Sequence, residues 1–441
     1  MGCGIPVRSD PLTAIIQSLA GLLVIPLIAL TLSEDRKVYS ASGLLRMLAV
    51  AIGLQLSIAG LFILIPQSKI VFDLLVSAVA ALQAATGEGM KFLFGYLAGG
   101  DAPFQVKDPS KSFVLALQAL PLVLIMSALS ALLYHWGILQ RVVGFFAWCL
   151  QRTMGVTGPV GTASAANIFV GMVEAPLFVR PYIRRMSRGE LFAMMTTGMA
   201  TVAGTVMALY AFFLEKRIPG AAGHILVASI MSAPAALLIA RIMVPWSDDA
   251  GGIAGEATAH PVEAPAANAM DAIARGTADG VRLLVSIAAM LVVMVALVAL
   301  ANTALGAITE PLGARLTVER LAGWAMAPLA FVIGIPWSEA VAAGELFGIK
   351  TVLNELLAYL KLASTDAGAA SGSLSPRSKL IMLYALCGFA NFGSLGIMLG
   401  GLIAMAPERK ADILSLGLKT IVSGTLATAM TGAVIGVITP S

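Results

Sequence analysis

Apolar residues run along this chain in long continuous blocks, not in the alternation of strands or the stripes of surface helices. One block covers about 12–32 and ends in the polar turn 33–37, "SEDRK". Others cover about 42–66, 112–134, 190–214, 223–245, 281–305, 379–406 and 412–438. At 1.5 Å per residue, about 20 apolar residues cross a hydrocarbon layer roughly 30 Å thick. Each block therefore predicts a transmembrane helix. The first block has the length of a span and no small-residue cleavage site, so it reads as a membrane helix and not as a removed leader. Residues 68–98 differ, with Lys69, Asp73, Glu88 and Lys91 giving them a mildly amphipathic pattern. They predict a helix lying in the membrane interface. The stretch 99–111, "GGDAPFQVKDPSK", reads as a polar loop.

Two apolar regions break this rhythm. The region 142–178 is interrupted by "TMGVTGPVGTASAAN" (153–167) and again from Gly171. The region 321–361 is interrupted by "GIPWSEAVAAGELFGIKTVLNE" (334–355). Each is long enough for two half-helices and too broken for one span. Each is followed by a segment with its own glycine-rich interruption, "TTGMATVAGT" (196–205) and "CGFANFGSLG" (387–396), and then by an intact one. The pattern predicts an all-α membrane protein of about eight transmembrane helices, two re-entrant hairpins and two broken helices in inverted repeats. Scaffold helices with the interfacial helix occupy 1–141. The first repeat is 142–245, a cytoplasmic linker 246–280, a scaffold helix 281–320, and the second repeat 321–441. Interrupted helices at matching places in two halves point to a transporter's binding site. Unwound backbone at membrane depth survives only where protein or a water-filled cavity satisfies it.

Composition narrows the class further. Of 441 residues 59% are hydrophobic and 12% charged, about half the charge of a soluble domain, and the mean hydropathy is +0.91. The net charge of +4 does not point to nucleic acid, because Lys and Arg sit mostly at the ends of apolar blocks, where they mark topology. The densest basic clusters, 35–37, 180–188 and 407–410, fall on one side, read as the cytoplasm. Cys3, Cys149 and Cys387 have no metal or disulfide spacing, and His135, His224 and His260 are scattered. The chain has no P-loop, HExxH, GxSxG or GxGxxG, which argues against an ATP-driven pump or an enzyme.

The carboxylates carry the chemistry. Glu174 and Glu355 stand in corresponding places, one in each interrupted region. A carboxylate at the bilayer centre costs roughly 2.5–3.5 kcal/mol on insertion scales. A matched pair therefore points to use: binding a proton, a cation or a hydroxyl-rich solute. The arginines that follow Glu174 read as anchors at the membrane surface and not as its partners.

Four stretches are similar to the concentrative nucleoside transporters: "SAANIFVGMVEAPLFVRPYI" (164–183), "ELFAMMTTGMATVAGTVMALY" (190–210), the 334–360 stretch, and "YALCGFANFGSLGIMLGG" (384–401). The resemblance covers the chain from about the third block to the end, and more loosely from the first. It implies that Glu355, Asn391 and Ser394 hold a ribose. It implies that Gly171, Met172, Val173 and Glu174 face the base, with Val206 and Phe389 as apolar contacts. It implies a sodium site at Asn167, Thr201 and the carbonyls of Val170 and Val202, with sodium as coupling ion and no other cofactor. It also implies a homotrimer in the lipid of a bacterial inner membrane. Where the family often reads Gly-Gln-Thr-Glu, this chain has Gly171-Met172-Val173-Glu174. Two hydrogen-bonding side chains are thus replaced by apolar ones, and base preference is left open. The rival readings are proton-driven uptake of a related polar solute, such as a modified nucleoside or a nucleobase, and a membrane protein that binds nucleosides without moving them.

Overall fold

The computed structural model describes residues 11–38, 40–64, 68–105, 113–215, 217–246, 266–312, 316–364 and 374–439. Among them the chain is helical, with no strand. The early helices are α1 (Pro11–Thr31), α2 (Ala41–Ala59), α3 (Ser68–Phe94), α4 (Leu115–Gln118) and α5 (Leu122–His135). Next come α6 (Ile138–Met154), α7 (Gly158–Asn167), the short α8 (Arg180–Ile183), α9 (Arg188–Ala200), α10 (Gly204–Leu214) and α11 (Ala221–Met243). The long α12 (Ala269–Thr309) separates these from α13 (Val318–Val332), α14 (Trp337–Val352), α15 (Glu355–Ser364), α16 (Pro376–Ala385), α17 (Phe392–Met405) and α18 (Lys410–Ile438).

Among the described residues, seven stretches are long and apolar enough to cross a membrane: Leu12–Thr31, Ser42–Phe62, Leu115–His135, Arg188–Leu214, Ala221–Met243, Ala269–Thr309 and Pro407–Ile438. The pair α13 and α14 folds back on itself at 119° and raises the count to eight if taken as one span. The α3 helix covers most of 68–98 and is not among the spanning stretches. One boundary differs from expectation. Residues 247–265 of the expected linker lie outside the described residues, but α12 begins at Ala269, well inside the 246–280 stretch. The reason is local. Asn268 caps the helix by accepting from Asp271 N at 2.9 Å, and Asp271 pairs with Arg275 one turn on. A charged first turn hides a helix start from a reading based on apolar blocks. Further on, α12 packs against α5 through Gly276 and Gly280, spaced for close helix approach.

The two repeats follow one plan. Ser187 caps α9 and Ser375 caps α16. The first break runs from Thr201, extended at φ −113° and ψ 169°, to Ala203; the second runs from Leu386 to Asn391. The intact helices α11 and α18 are buried along most of their length and meet where Ser232 Oγ lies 3.2 Å from Thr431 Oγ1. The breaks touch at Gly388. A Cβ there would lie 2.9 Å from both the Met199 and Ala200 carbonyl oxygens and 2.8 Å from Thr428 Cγ2. Only glycine lets the two interrupted helices approach so closely.

The basic clusters also converge. Arg184 pairs with Glu408, and Arg188 pairs with Glu34 at 3.0 Å and with Asp412 at 3.5 Å. Lys419 reaches the same Glu34, and Arg409 donates to the carbonyls of Ile183 and Met186. Two of the three basic clusters, 180–188 and 407–410, thus meet on one face of the molecule, joined there by Glu34, next to the third, and by Lys419. Arg184 and Arg188 are committed there, away from Glu174.

Candidate functional site

The first hairpin enters through α7 and returns through the turn that leads to α8, and it is held in place before it reaches the site. Thr157 begins α7, with Pro159 in the first turn, where its missing N–H costs nothing. Thr157 Oγ1 donates to Glu190 Oε1 at 2.8 Å, and Glu190 also closes a capping box with Ser187 at the start of α9. One turn from the far end, Ser164 and Thr197 hydroxyls lie 3.2 Å apart. Glu190 is a buried carboxylate with a structural task. It pins the hairpin to the broken helix.

The first break sits against the end of that hairpin. Gly204 N, an unpaired donor at the start of α10, reaches Phe169 O at 2.9 Å. Val202 N donates to Ser229 Oγ at 3.3 Å, and that oxygen lies 3.4 Å from both Ile168 O and Val202 O. Ser229 of α11 thereby bridges hairpin and break. The carbonyl ends of α7 and α9 converge here, and helix C-termini carry the negative end of the macrodipole. Asn167 is 2% exposed, and neither its Oδ1 nor its Nδ2 has a partner among the described residues. Leaving such a group unpaired costs roughly 1–3 kcal/mol. Thr201 Oγ1 donates to Thr197 O at 2.9 Å and keeps its lone pairs free to accept. Neutral, hard oxygens beside two helix C-termini make a donor set that fits an alkali cation.

The second break supplies the polar heart of the site. Asn354 begins α15 by accepting from Leu357 N at 3.0 Å, which puts Glu355 in the first turn of a helix, where the positive dipole end favours a carboxylate. Glu355 is 5% exposed. Tyr210 Oη donates to its Oε1 at 2.5 Å, and Asn391 Nδ2 donates to its Oε2 at 2.8 Å. Asn391 Oδ1 caps α17 by accepting from Ser394 N at 2.7 Å. Glu355 thus has one bond to each oxygen and lone-pair capacity left over.

One cavity joins these elements. Its wall includes all nine residues expected to hold substrate: Gly171, Met172, Val173, Glu174, Val206, Glu355, Phe389, Asn391 and Ser394. Glu174 is exposed at this wall and curls back over Gly171, where a Cβ would lie 2.1 Å from its Oε2. Met172 Cβ lies against Gly198 of α9, and Val173 packs toward Gly401 of α17. The expected ion residues Asn167, Val170, Thr201 and Val202 lie beside this cavity at the first break and are not part of its wall.

Two sets of lining residues escape a reading of the sequence. Tyr210 sits in the quoted 190–210 stretch but looks like any tyrosine near a helix end. Leu283, Ser286, Ile287 and Met290 line the cavity from α12, so that long helix forms one wall. Only Ser286, a lone hydroxyl in an apolar run, carries a faint signal.

The chain matches family models described as the Na+ dependent nucleoside transporter N-terminus over residues 20–97, nucleoside recognition (gate) over 116–217, and the Na+ dependent nucleoside transporter C-terminus over 224–436. It is 35% identical to the nucleoside permease NupC of Helicobacter pylori, covering 95% of this chain and 96% of that protein. It is 32% identical to the sodium/nucleoside cotransporter 1 of Mus musculus, covering 89% of this chain and 60% of that one. The solved structure of CNTnw in an inward-facing substrate-bound state superposes with a TM-score of 0.85 at 37% identity, covering 96% of this chain and 97% of that one. These likenesses span nearly the whole length and agree with the two hairpins, the paired breaks and the shared cavity. The chain therefore belongs to the concentrative nucleoside transporter family and is a multi-pass membrane protein, not an enzyme.

Proposed function

We propose that this protein imports nucleosides across the bacterial plasma membrane as a sodium symporter, exposing one site alternately to each side. The observation that carries the reading is the pairing of two adjacent features: a cavity where Glu355 is fixed by Tyr210 and Asn391, and a neighbouring break where the buried Asn167 amide lacks a partner. Glu355, with Asn391 and Ser394, takes the ribose hydroxyls. Phe389 and Val206 offer apolar surface to a planar base. Gly171, Met172, Val173 and Glu174 bound the base side. Asn167, Thr201 and the carbonyls of Val170 and Val202 take sodium, and none of them has to lose a proton to do so. Both repeats form the moving part, and α12 with the early helices forms the fixed wall. The resemblance in sequence further supports a homotrimer. The test is uptake of radiolabelled nucleoside into proteoliposomes with sodium and proton gradients imposed separately. Sodium-driven accumulation is the expected result. Equal uptake from a proton gradient in sodium-free buffer would overturn the symport reading.

A further inference from the structure

Lys350, near the end of α14, is 0% exposed. Its Nζ donates to Ala385 O at 3.0 Å and to Thr428 Oγ1 at 2.9 Å. It enters none of the ion pairs found among the described residues. Glu355 attracts this ammonium through space but no carboxylate of the described residues touches it, so its close contacts must come from elsewhere. Position supplies them. Ala385 ends α16 at the second break, and the last carbonyls of a helix lack partners of their own and carry the negative dipole end. Each carbonyl of that last turn has a donor here. Met382 O accepts from Leu386 N at 2.8 Å and Tyr384 O from Cys387 N at 3.2 Å. Leu383 O accepts from the Tyr359 hydroxyl at 3.0 Å, and Ala385 O from Lys350.

The first repeat has the same end without the lysine. Ser232 of α11 touches Thr431 of α18, and one turn earlier on each helix stand Ser229 and Thr428. Ser229 serves the first break and Thr428 the second. From the hairpin side, the first repeat brings Asn167 with an unpartnered amide, and the second brings the Lys350 ammonium. One break end is open to a mobile cation; the other is filled by a cation attached to the chain.

We propose that Lys350 is a tethered cation that takes, in the second repeat, the place sodium takes in the first, so that each protomer holds one sodium and moves one per nucleoside. This rests on the sodium reading above. The test counts bound sodium-22 per protomer on purified protein and derives the sodium-to-nucleoside ratio from reversal potentials in proteoliposomes. Wild type should give one for both. Lys350→Ser, which removes the ammonium and leaves a hydroxyl beside vacated space, should bind two sodium ions and raise the ratio toward two. Lys350→Met, which keeps the stem without the charge, should stay at one sodium and bind nucleoside at least tenfold more weakly, because the break carrying Asn391 loses its anchor. A wild-type ratio of two overturns the proposal. So does a folded Lys350→Ser protein with one sodium and wild-type nucleoside affinity. If neither variant folds, the wild-type ratio decides alone. Wild-type uptake indifferent to sodium is a separate outcome, which removes the symport reading and this inference together.

Discussion

Glu355 is already held in place by its own protein before a substrate arrives. Tyr210 and Asn391 each occupy one oxygen, and the start of α15 favours its charge. A charge-assisted hydrogen bond is worth roughly 1.5–3 kcal/mol. Glu355→Gln keeps the shape but turns one acceptor into a donor facing either Tyr210 or Asn391. It should weaken ribonucleoside binding about ten- to a hundredfold on that scale, with deoxynucleosides less sensitive. Titration of purified wild type and variant with both ligand classes checks this; wild-type affinity in a folded variant would remove Glu355 from the ribose. The second residue-scale prediction concerns the base. Met172 and Val173 pack against Gly198 and Gly401 and offer no side-chain hydrogen bond. Met172→Gln with Val173→Thr should shift competition toward uridine over adenosine and inosine, and an unchanged ranking would clear these positions of a role. Glu174 and Glu355 stood out in the sequence because carboxylates inside apolar runs are expensive and therefore conspicuous, whereas Asn391 and Ser394 came only with the family resemblance. Asn391 proved more committed than expected, since its oxygen caps α17 and its amide nitrogen serves Glu355. Tyr210 and the α12 wall stayed hidden, because a tyrosine or a leucine in a span has many ordinary reasons to be there.

At the scale of elements, the breaks work because neighbouring elements satisfy them. Phe169 O and Ser229 Oγ take the free donors of the first break, and Tyr359 and Lys350 serve the acceptors of the second. The Tyr210 and Tyr359 rings lie 5.1 Å apart, linking the bond on Glu355 to the end of α16. Interruptions in apolar blocks announced both breaks, since glycine and small polar residues are what an unwound segment needs. The partners that stabilise them come from distant sequence, so no local pattern could reveal them. The start of α12 was missed for the opposite reason: its first turns are polar, and their helical signal lies in a cap and an ion pair. Thr201 gives the prediction at this scale. Its hydroxyl spends its proton on Thr197 O and keeps its oxygen at the junction of α9 with the break. Thr201→Ala should raise the sodium concentration for half-maximal uptake several-fold while leaving nucleoside affinity at saturating sodium near wild type. A sodium curve that superposes on wild type would exclude Thr201 as a ligand.

Across the whole molecule, scaffold and repeats are tied on one face by a single carboxylate. Glu34 follows α1, Arg188 opens α9 in the first repeat, and Lys419 belongs to α18 in the second. The sequence showed the basic residues, but it could not show that one acidic residue gathers Arg188 and Lys419, each more than 150 residues away from it in sequence. Hydrogen bonding from Arg188 is the largest influence holding the Glu34 carboxyl below its usual 4.5; partial burial opposes it, and Lys419 adds to the lowering. A depressed folded-state value means that the stabilisation is fully present above the ordinary carboxylate range. It disappears as the pH falls through the lower folded value, because the protonated acid no longer pairs. The side chain stays 29% exposed, so the tie belongs with screened surface pairs worth roughly 0.2–1 kcal/mol. Glu34→Gln should therefore lower the melting temperature slightly at pH 7, with the gap to wild type closing at an acid pH below the lowered carboxyl value and narrowing in molar salt. Thermal melts of both proteins in the same detergent at the two pH values test this. Coincident melting at pH 7, or a gap that persists in acid, would show that the cluster does not hold scaffold and repeats together through the charge on Glu34.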